Sequence, residues 1–175
     1  MIRNILFDFD GVILDSMTIR SYGFRKIFEK FDDELIEKLL RYHNENSGLS
    51  RYIKIKYFYN KLLGKEISEK DIQNYANNFS EIMKKKLTNK DYLIADTLEF
   101  IKDSFKKYNL HIVSGSDGEE LRFLCKELGV NNYFKSIHGS PIHKNKLVES
   151  VLFDNDYVEK ETILIGDSVN DYEAA

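Results

Sequence analysis

The stretch Ile2-Arg3-Asn4-Ile5-Leu6-Phe7-Asp8-Phe9-Asp10-Gly11 decides the fold: a short apolar run ends abruptly in two acids and an Asp-Gly turn. A run of this length, bounded by turn chemistry, predicts a strand buried on both faces that delivers carboxylates at its carboxyl end. Near the other end of the chain, Ile163-Leu164-Ile165-Gly166-Asp167-Ser168-Val169-Asn170-Asp171 repeats the design. From Ala95 onward the pattern alternates: helix Ala95 to Tyr108, strand Leu110 to Ser114, helix Asp117 to Leu128, strand near Ser136 to His138, helix Lys144 to Phe153, strand Thr162 to Ile165. Strands separated by helices of this length predict an α/β fold with a parallel sheet covered on both faces. Ligands of such sheets sit beyond the carboxyl ends of the strands, where Asp8, Asp10, Ser114 and Asp167 fall.

From about Ser16 to Leu87 the periodicity is helical instead. Ile19, Tyr22, Phe24, Ile27, Phe28 and Phe31 form one run, and Leu35, Ile36, Leu39 and Leu40 the next. Further segments cover Leu49 to Leu63 and Ser68 to Leu87, where Ser68 with Asp71 three residues on has the look of an N-cap. The expected organisation is a sheet domain built from residues 1–15 and 89–175, carrying a helical bundle over residues 16–88.

Composition sets bounds. A chain of 175 residues that is 42% hydrophobic can bury a core unaided. Lys plus Arg number 26 and Asp plus Glu 29, so the net charge of −3 offers no basic field for nucleic acid. The apolar run at Met1 to Phe9 is too short for a membrane span and has no small-residue cleavage site, so no membrane partner and a cytoplasmic location are expected. The single cysteine, Cys125, lies on a helical apolar stripe and reads as a buried structural thiol.

Strand alternation points Asp8 and Asp10 to one face, where two like charges repel and raise each other's pKa unless a cation sits between them. A hard divalent metal is the natural complement. If the two acid-ended strands are neighbours, Asp167 completes a three-carboxylate oxygen cage suited to Mg²⁺, and Asp171, one turn into the next helix, supports it from behind. The plainer alternative for either motif alone is helix capping and turn chemistry. Ser47-Gly48-Leu49-Ser50-Arg51 interrupts the helical stretch. Arg51 there is a candidate for a substrate anion or sugar hydroxyls, against the plainer reading of an exposed arginine in a first helical turn. Arg20 is a weaker candidate of the same kind.

Taken in order, Asp8-Phe9-Asp10-Gly11, Ser114 after His111-Ile112-Val113, a lysine near residue 144, and Gly166-Asp167-Ser168 with Asp171 resemble the motifs of the haloacid dehalogenase superfamily. The likeness is to its members with a helical C1-type cap, such as the phosphoglycolate phosphatase and β-phosphoglucomutase groups. It implies a Rossmann-like core with an inserted helical cap, and Mg²⁺ as cofactor held by Asp8, the backbone carbonyl of Asp10, and Asp167. It implies further that Asp8 is a nucleophile forming an aspartyl-phosphate and Asp10 the general acid and base. Ser114 and the Gly115 N–H would bind the phosphoryl oxygens, and a lysine would neutralise the charge in flight. Of two lysines in Gly139-Ser140-Pro141-Ile142-His143-Lys144-Asn145-Lys146, Lys144 at the helix entrance is preferred to Lys146, and His143 reads as a solvent-facing neighbour.

The expected function is therefore hydrolysis of a small phosphate monoester, a sugar phosphate or similar metabolite. The alternatives are a phosphomutase and a non-catalytic binding module. An acid at Asp10 favours phosphoryl transfer over dehalogenation, because an alkoxide leaves with a proton and a halide does not. Ala175 follows soon after the last motif, so either a truncated chain or a minimal sheet is expected. Oligomeric state is left open.

Overall fold

The computed structural model describes residues 1–175. Four parallel strands, β1 (Asn4–Phe7), β2 (Asn109–Asp117), β3 (Ser136–Ser140) and β4 (Thr162–Ile165), form one sheet in the order β3-β2-β1-β4. The chain steps outward from β1 to β3 and then returns to the far side of β1. The strand order thus reverses at β1 and β4, which is where an α/β sheet opens a crevice for a ligand. Both acid-ended strands of the sequence meet there, with Phe7 in register with Ile165.

Alternation along β1 explains why it reads as continuously apolar. Ile5 and Phe7 face one side with Leu110 and Ile112, whereas Leu6 faces the other with Val113, Leu147, Val148 and Val151. Helices α5 (Ala95–Ser104) and α6 (Gly118–Glu127) cover the first face, and α7 (Lys144–Asp154) packs on the second; α8 (Val169–Ala174) follows β4. Cys125 is buried in the first cluster, where burial pushes its thiol up to about 12, as fits a structural residue.

Between β1 and α5 the chain forms α1 (Met17–Ile27), α2 (Asp33–Glu45), α3 (Arg51–Tyr57) and α4 (Glu69–Lys86), with α3 running on into a π-helical turn at Phe58–Leu62. The Ser68 side chain accepts from Asp71 N at 3.1 Å, the expected cap of α4. Phe24, Phe28, Phe58 and Phe79 fill the interior of these helices, with Phe28 stacked on Phe58 at 4.1 Å between ring centres. One apolar cluster joins them to the sheet through Phe9, Val12, Ile13 and Leu14. No helix is long and apolar enough to cross a membrane.

One boundary differs from expectation. β2 does not stop at Ser114 but continues to Asp117 across a register shift between Val113 and Asp117. The irregularity lets Ser116 N donate to Ser114 Oγ at 3.2 Å and turns Ser116 toward Asp10.

Candidate active site

Asp8 sits immediately beyond β1, buried, with its N–H donating to Ile165 O at 2.8 Å. Lys144, the first residue of α7, is buried too and places its Nζ 2.8 Å from Asp8 Oδ1 while also bonding Asp171 Oδ1. Burial pushes the Asp8 carboxyl up to about 6; Lys144 pulls it back, and the charges of Asp171 and Asp10 push it up again. Burial works against the Lys144 ammonium, but Asp8 and Asp171 outweigh it and raise its pKa. Lys146 is exposed and pairs with Glu149, and His143 is exposed at the N-cap of α7.

Asp8, Asp167 and Asp171 bring one carboxylate oxygen each within 4.8 Å of one another. Asp167 is exposed and lies over Gly11, which has a positive φ of 78° and no room for a side chain: a Cβ there would stand 2.1 Å from Asp167 Oδ2. Asp171 Oδ2 accepts from Ser168 N at 2.9 Å and Ser168 Oγ at 2.6 Å, a capping box that fixes the start of α8. Burial and the neighbouring charge of Asp171 raise the pKa of Asp167. An all-oxygen set with crowded negative charge fits a hard divalent cation such as Mg²⁺.

The carboxylate of Asp10 is not part of that cluster, contrary to the inference from strand alternation. Past the end of β1 the backbone turns, and the Asp10 side chain goes to Arg20 Nε at 2.7 Å and to the hydroxyls of Ser16 and Ser116. Burial alone would raise its pKa, but Arg20 with the two serine hydrogen bonds holds it below the usual carboxylate range. Arg20 answers the charge of the second acid. Asp171, expected to stand behind the cage, lies beside Asp8 and Asp167 with its own oxygens engaged by Lys144 and Ser168.

Above this floor lies a roof contributed by α1–α4. The loop at Ser47-Gly48-Leu49 descends onto Ser114-Gly115-Ser116, so closely that a Cβ at Gly115 would lie 2.1 Å from Gly48 O. Arg51 is not the exposed first-turn arginine of the plainer reading. It is buried, with Nη1 2.6 Å from both Ser80 Oγ and Glu120 Oε2 and its guanidinium 4.6 Å from the centre of the Phe79 ring. Glu120 on α6, fully buried, also takes Arg20 Nη1 at 2.8 Å on its other oxygen. Tyr52 adds a hydrogen bond to Asp117 Oδ2 at 2.8 Å. Floor and roof line a narrow, partly open chamber of about 30 Å³.

Glu120, Ser16, Ser116, His43 and Lys54 were absent from the sequence-derived site. His43 and Lys54 lie in the roof, with Lys54 Nζ 2.9 Å from His43 Nδ1.

Residues 5–175 match the family described as haloacid dehalogenase-like hydrolase. No curated protein matches the chain by sequence. Among solved structures, the chain is similar to a haloacid dehalogenase-like family hydrolase of Streptococcus pneumoniae, at 20% identity and a TM-score of 0.70 over 99% of this chain and 79% of the other. It is similar to a β-phosphoglucomutase of Clostridium difficile, at 17% and 0.77 over 99% and 82%. It is similar also to CbbY of Rhodobacter sphaeroides, solved in complex with xylulose 1,5-bisphosphate, at 16% and 0.79 over 99% and 81%. At these identities the likeness is one of fold.

Proposed function

Because this chain belongs to the haloacid dehalogenase-like hydrolase family, we propose that it is a Mg²⁺-dependent phosphatase that hydrolyses a small phosphate monoester through an aspartyl-phosphate on Asp8. The observation that carries this reading is the contact between Asp8 and Lys144 beyond the carboxyl ends of the strands, 2.8 Å apart and both buried. A buried carboxylate held against a lysine is an anionic nucleophile whose charge is already answered, so a phosphoryl group can approach without facing bare repulsion.

On this reading Asp8 attacks phosphorus, the bond to the ester oxygen breaks, and the leaving oxygen takes a proton. Water then attacks the acyl phosphate, giving inorganic phosphate and free Asp8. Asp10, held ionised by Arg20, is equipped as the base that takes the proton of that water. Its acid role toward the leaving alkoxide requires that the contact with Arg20 loosen. Ser114 and the Gly115 N–H orient the phosphoryl oxygens, and Lys144 follows their charge during transfer. Asp8, Asp167 and the Asp10 carbonyl would hold Mg²⁺, with Asp171 beside them; the ion supplies positive charge to the phosphoryl oxygens. Residues 16–88 serve as the cap, which keeps bulk water from the acyl phosphate.

The test is release of phosphate from a generic aryl phosphate by the purified protein with Mg²⁺. Asp8→Asn should abolish it and leave no acid-stable carboxyl phosphate to trap. Absence of phosphate release from the unaltered chain, or label recovered on Ser114, would overturn the reading.

A further inference from the structure

The polar atoms left without partners in the roof of the chamber are all donors. They are Arg20 Nη2, Arg51 Nε and Nη2, and His43 Nε2. As an ammonium, Lys54 has no acceptor and so donates to His43 Nδ1, which puts the ring proton of the neutral imidazole on Nε2. Lys54 gives a second hydrogen bond to Ser47 O at 3.2 Å, so both its partners are uncharged. These four side chains line one chamber, and none is more than 5% exposed. The nearby acids are already engaged, Asp10 with Arg20 and Glu120 with both arginines.

Buried donors without acceptors are costly, and a buried ammonium without a counter-charge is costlier still. What would satisfy them is specified by their chemistry. A neutral hydrocarbon offers no acceptor, and a hydroxyl offers an acceptor but no charge to answer the third cation, since Arg20, Arg51 and Lys54 face only Asp10 and Glu120. An oxyanion brings acceptors only, together with the missing negative charge.

We propose that the roof is a second anion site, in which Lys54, steadied by His43, binds a carboxylate or phosphate on the leaving portion of the substrate, with the free N–H groups of Arg20 and Arg51 completing the shell. This rests on the phosphatase reading and narrows its substrate to a phosphate ester with a second acidic group. Burial first, then the charges of Arg20 and Arg51, lower the Lys54 ammonium to about 7, with Asp10 opposing. A bound anion would restore its charge.

Three phosphonates, whose C–P bonds resist hydrolysis, test the site by titration calorimetry of the whole chain with Mg²⁺. Propylphosphonate has a neutral tail, 3-phosphonopropionate carries a carboxylate in its place, and ethane-1,2-bisphosphonate carries a second phosphonate. At least one acidic probe should bind about tenfold or more tighter than propylphosphonate, as expected for a charge-assisted contact. Whichever acid wins names the group. In Lys54→Met, with Lys54→Gln as a second variant and each checked for a cooperative melting transition, that preference should shrink to about threefold or less. Equal binding of all three by the unaltered chain overturns the second site, as does a preference that survives loss of Lys54. If none binds and aryl phosphate also stays intact, the phosphatase reading falls together with it; equal binding with intact aryl phosphatase activity removes the second site alone.

Discussion

Glu120, on a helix of the sheet domain, meets Arg51, on a helix of the inserted bundle, at 2.6 Å with both side chains cut off from solvent. The same carboxylate holds Arg20 on its other oxygen. Glu120→Ala would leave two guanidinium groups buried with one fewer counter-charge, and removal of one partner from a buried pair typically costs roughly 3–5 kcal/mol. Urea denaturation should show a loss of that order. The exposed pair of Arg25 with Glu37 provides the contrast: Glu37→Ala should change stability by about 1 kcal/mol or less.

Lys144 and Lys146 are two residues apart yet should behave differently. Lys144→Ala removes the only cation that touches Asp8 and should lower kcat on an aryl phosphate by about 10²–10³, the usual scale for losing a donor aimed at developing charge. Lys146→Ala removes an exposed partner of Glu149 and should leave kcat near the parent value. The reverse ranking would move the role to Lys146.

Mg²⁺ should raise the melting temperature as well as support activity, because an ion bound only by the native state stabilises it by mass action, by about 2.7 kcal/mol at a hundred times its dissociation constant. Asp167→Asn, which removes charge from the cluster of Asp8, Asp167 and Asp171, should abolish most of that increment. Excess EDTA should remove both the increment and the activity, and full activity in EDTA would refute the assignment.

Acid should weaken the fold through its histidines. Burial, with Lys54 and Arg20, holds His43 down to about 3, and burial, with His138 and Lys135, holds His111 down to about 4. An unfolded histidine binds its proton near about 6.5. Between those values the unfolded chain binds more protons, so this stability is complete above about pH 6.5 and is lost as pH falls toward 4 and then 3. Asp8, raised to about 6, works in the opposite sense. The contribution of His111 is therefore read as a difference: between pH 6.5 and 4, the parent should lose stability faster than His111→Asn.

β1 was legible because it is buried on both faces, which leaves Ile5-Leu6-Phe7 as an unbroken apolar run before its acids; Ile163-Leu164-Ile165 carries the same run at the sheet edge, where Ile163 stays exposed. The direction of Asp10 was not, because alternation holds only while the strand lasts, and β1 ends at Phe7. The roof was hidden for another reason. Arg51 was a candidate but its burial was not foreseen, and Lys54, His43 and Glu120 were passed over: Arg51 and Lys54 stand four residues before Ile55 and Phe58, His43 four after Leu39, and Glu120 four before Leu124, all on the stripes that face inward. Read for periodicity, such charges look like interruptions of an apolar face. They were the signal, since a charge kept in step with a buried stripe must find its partner inside.

A chamber of about 30 Å³ has room for about one water molecule, and that has a kinetic consequence. On the phosphatase reading, an ester larger than this would need the bundle to move away from the sheet, which would part Arg51 from Glu120 and lift Gly48 from Gly115. Each turnover would then contain an opening step, on the microsecond-to-millisecond scale of such motions. Once bond breaking is made fast enough with an activated ester, throughput becomes a matter of gating, sensitive to solvent viscosity and blind to the leaving group.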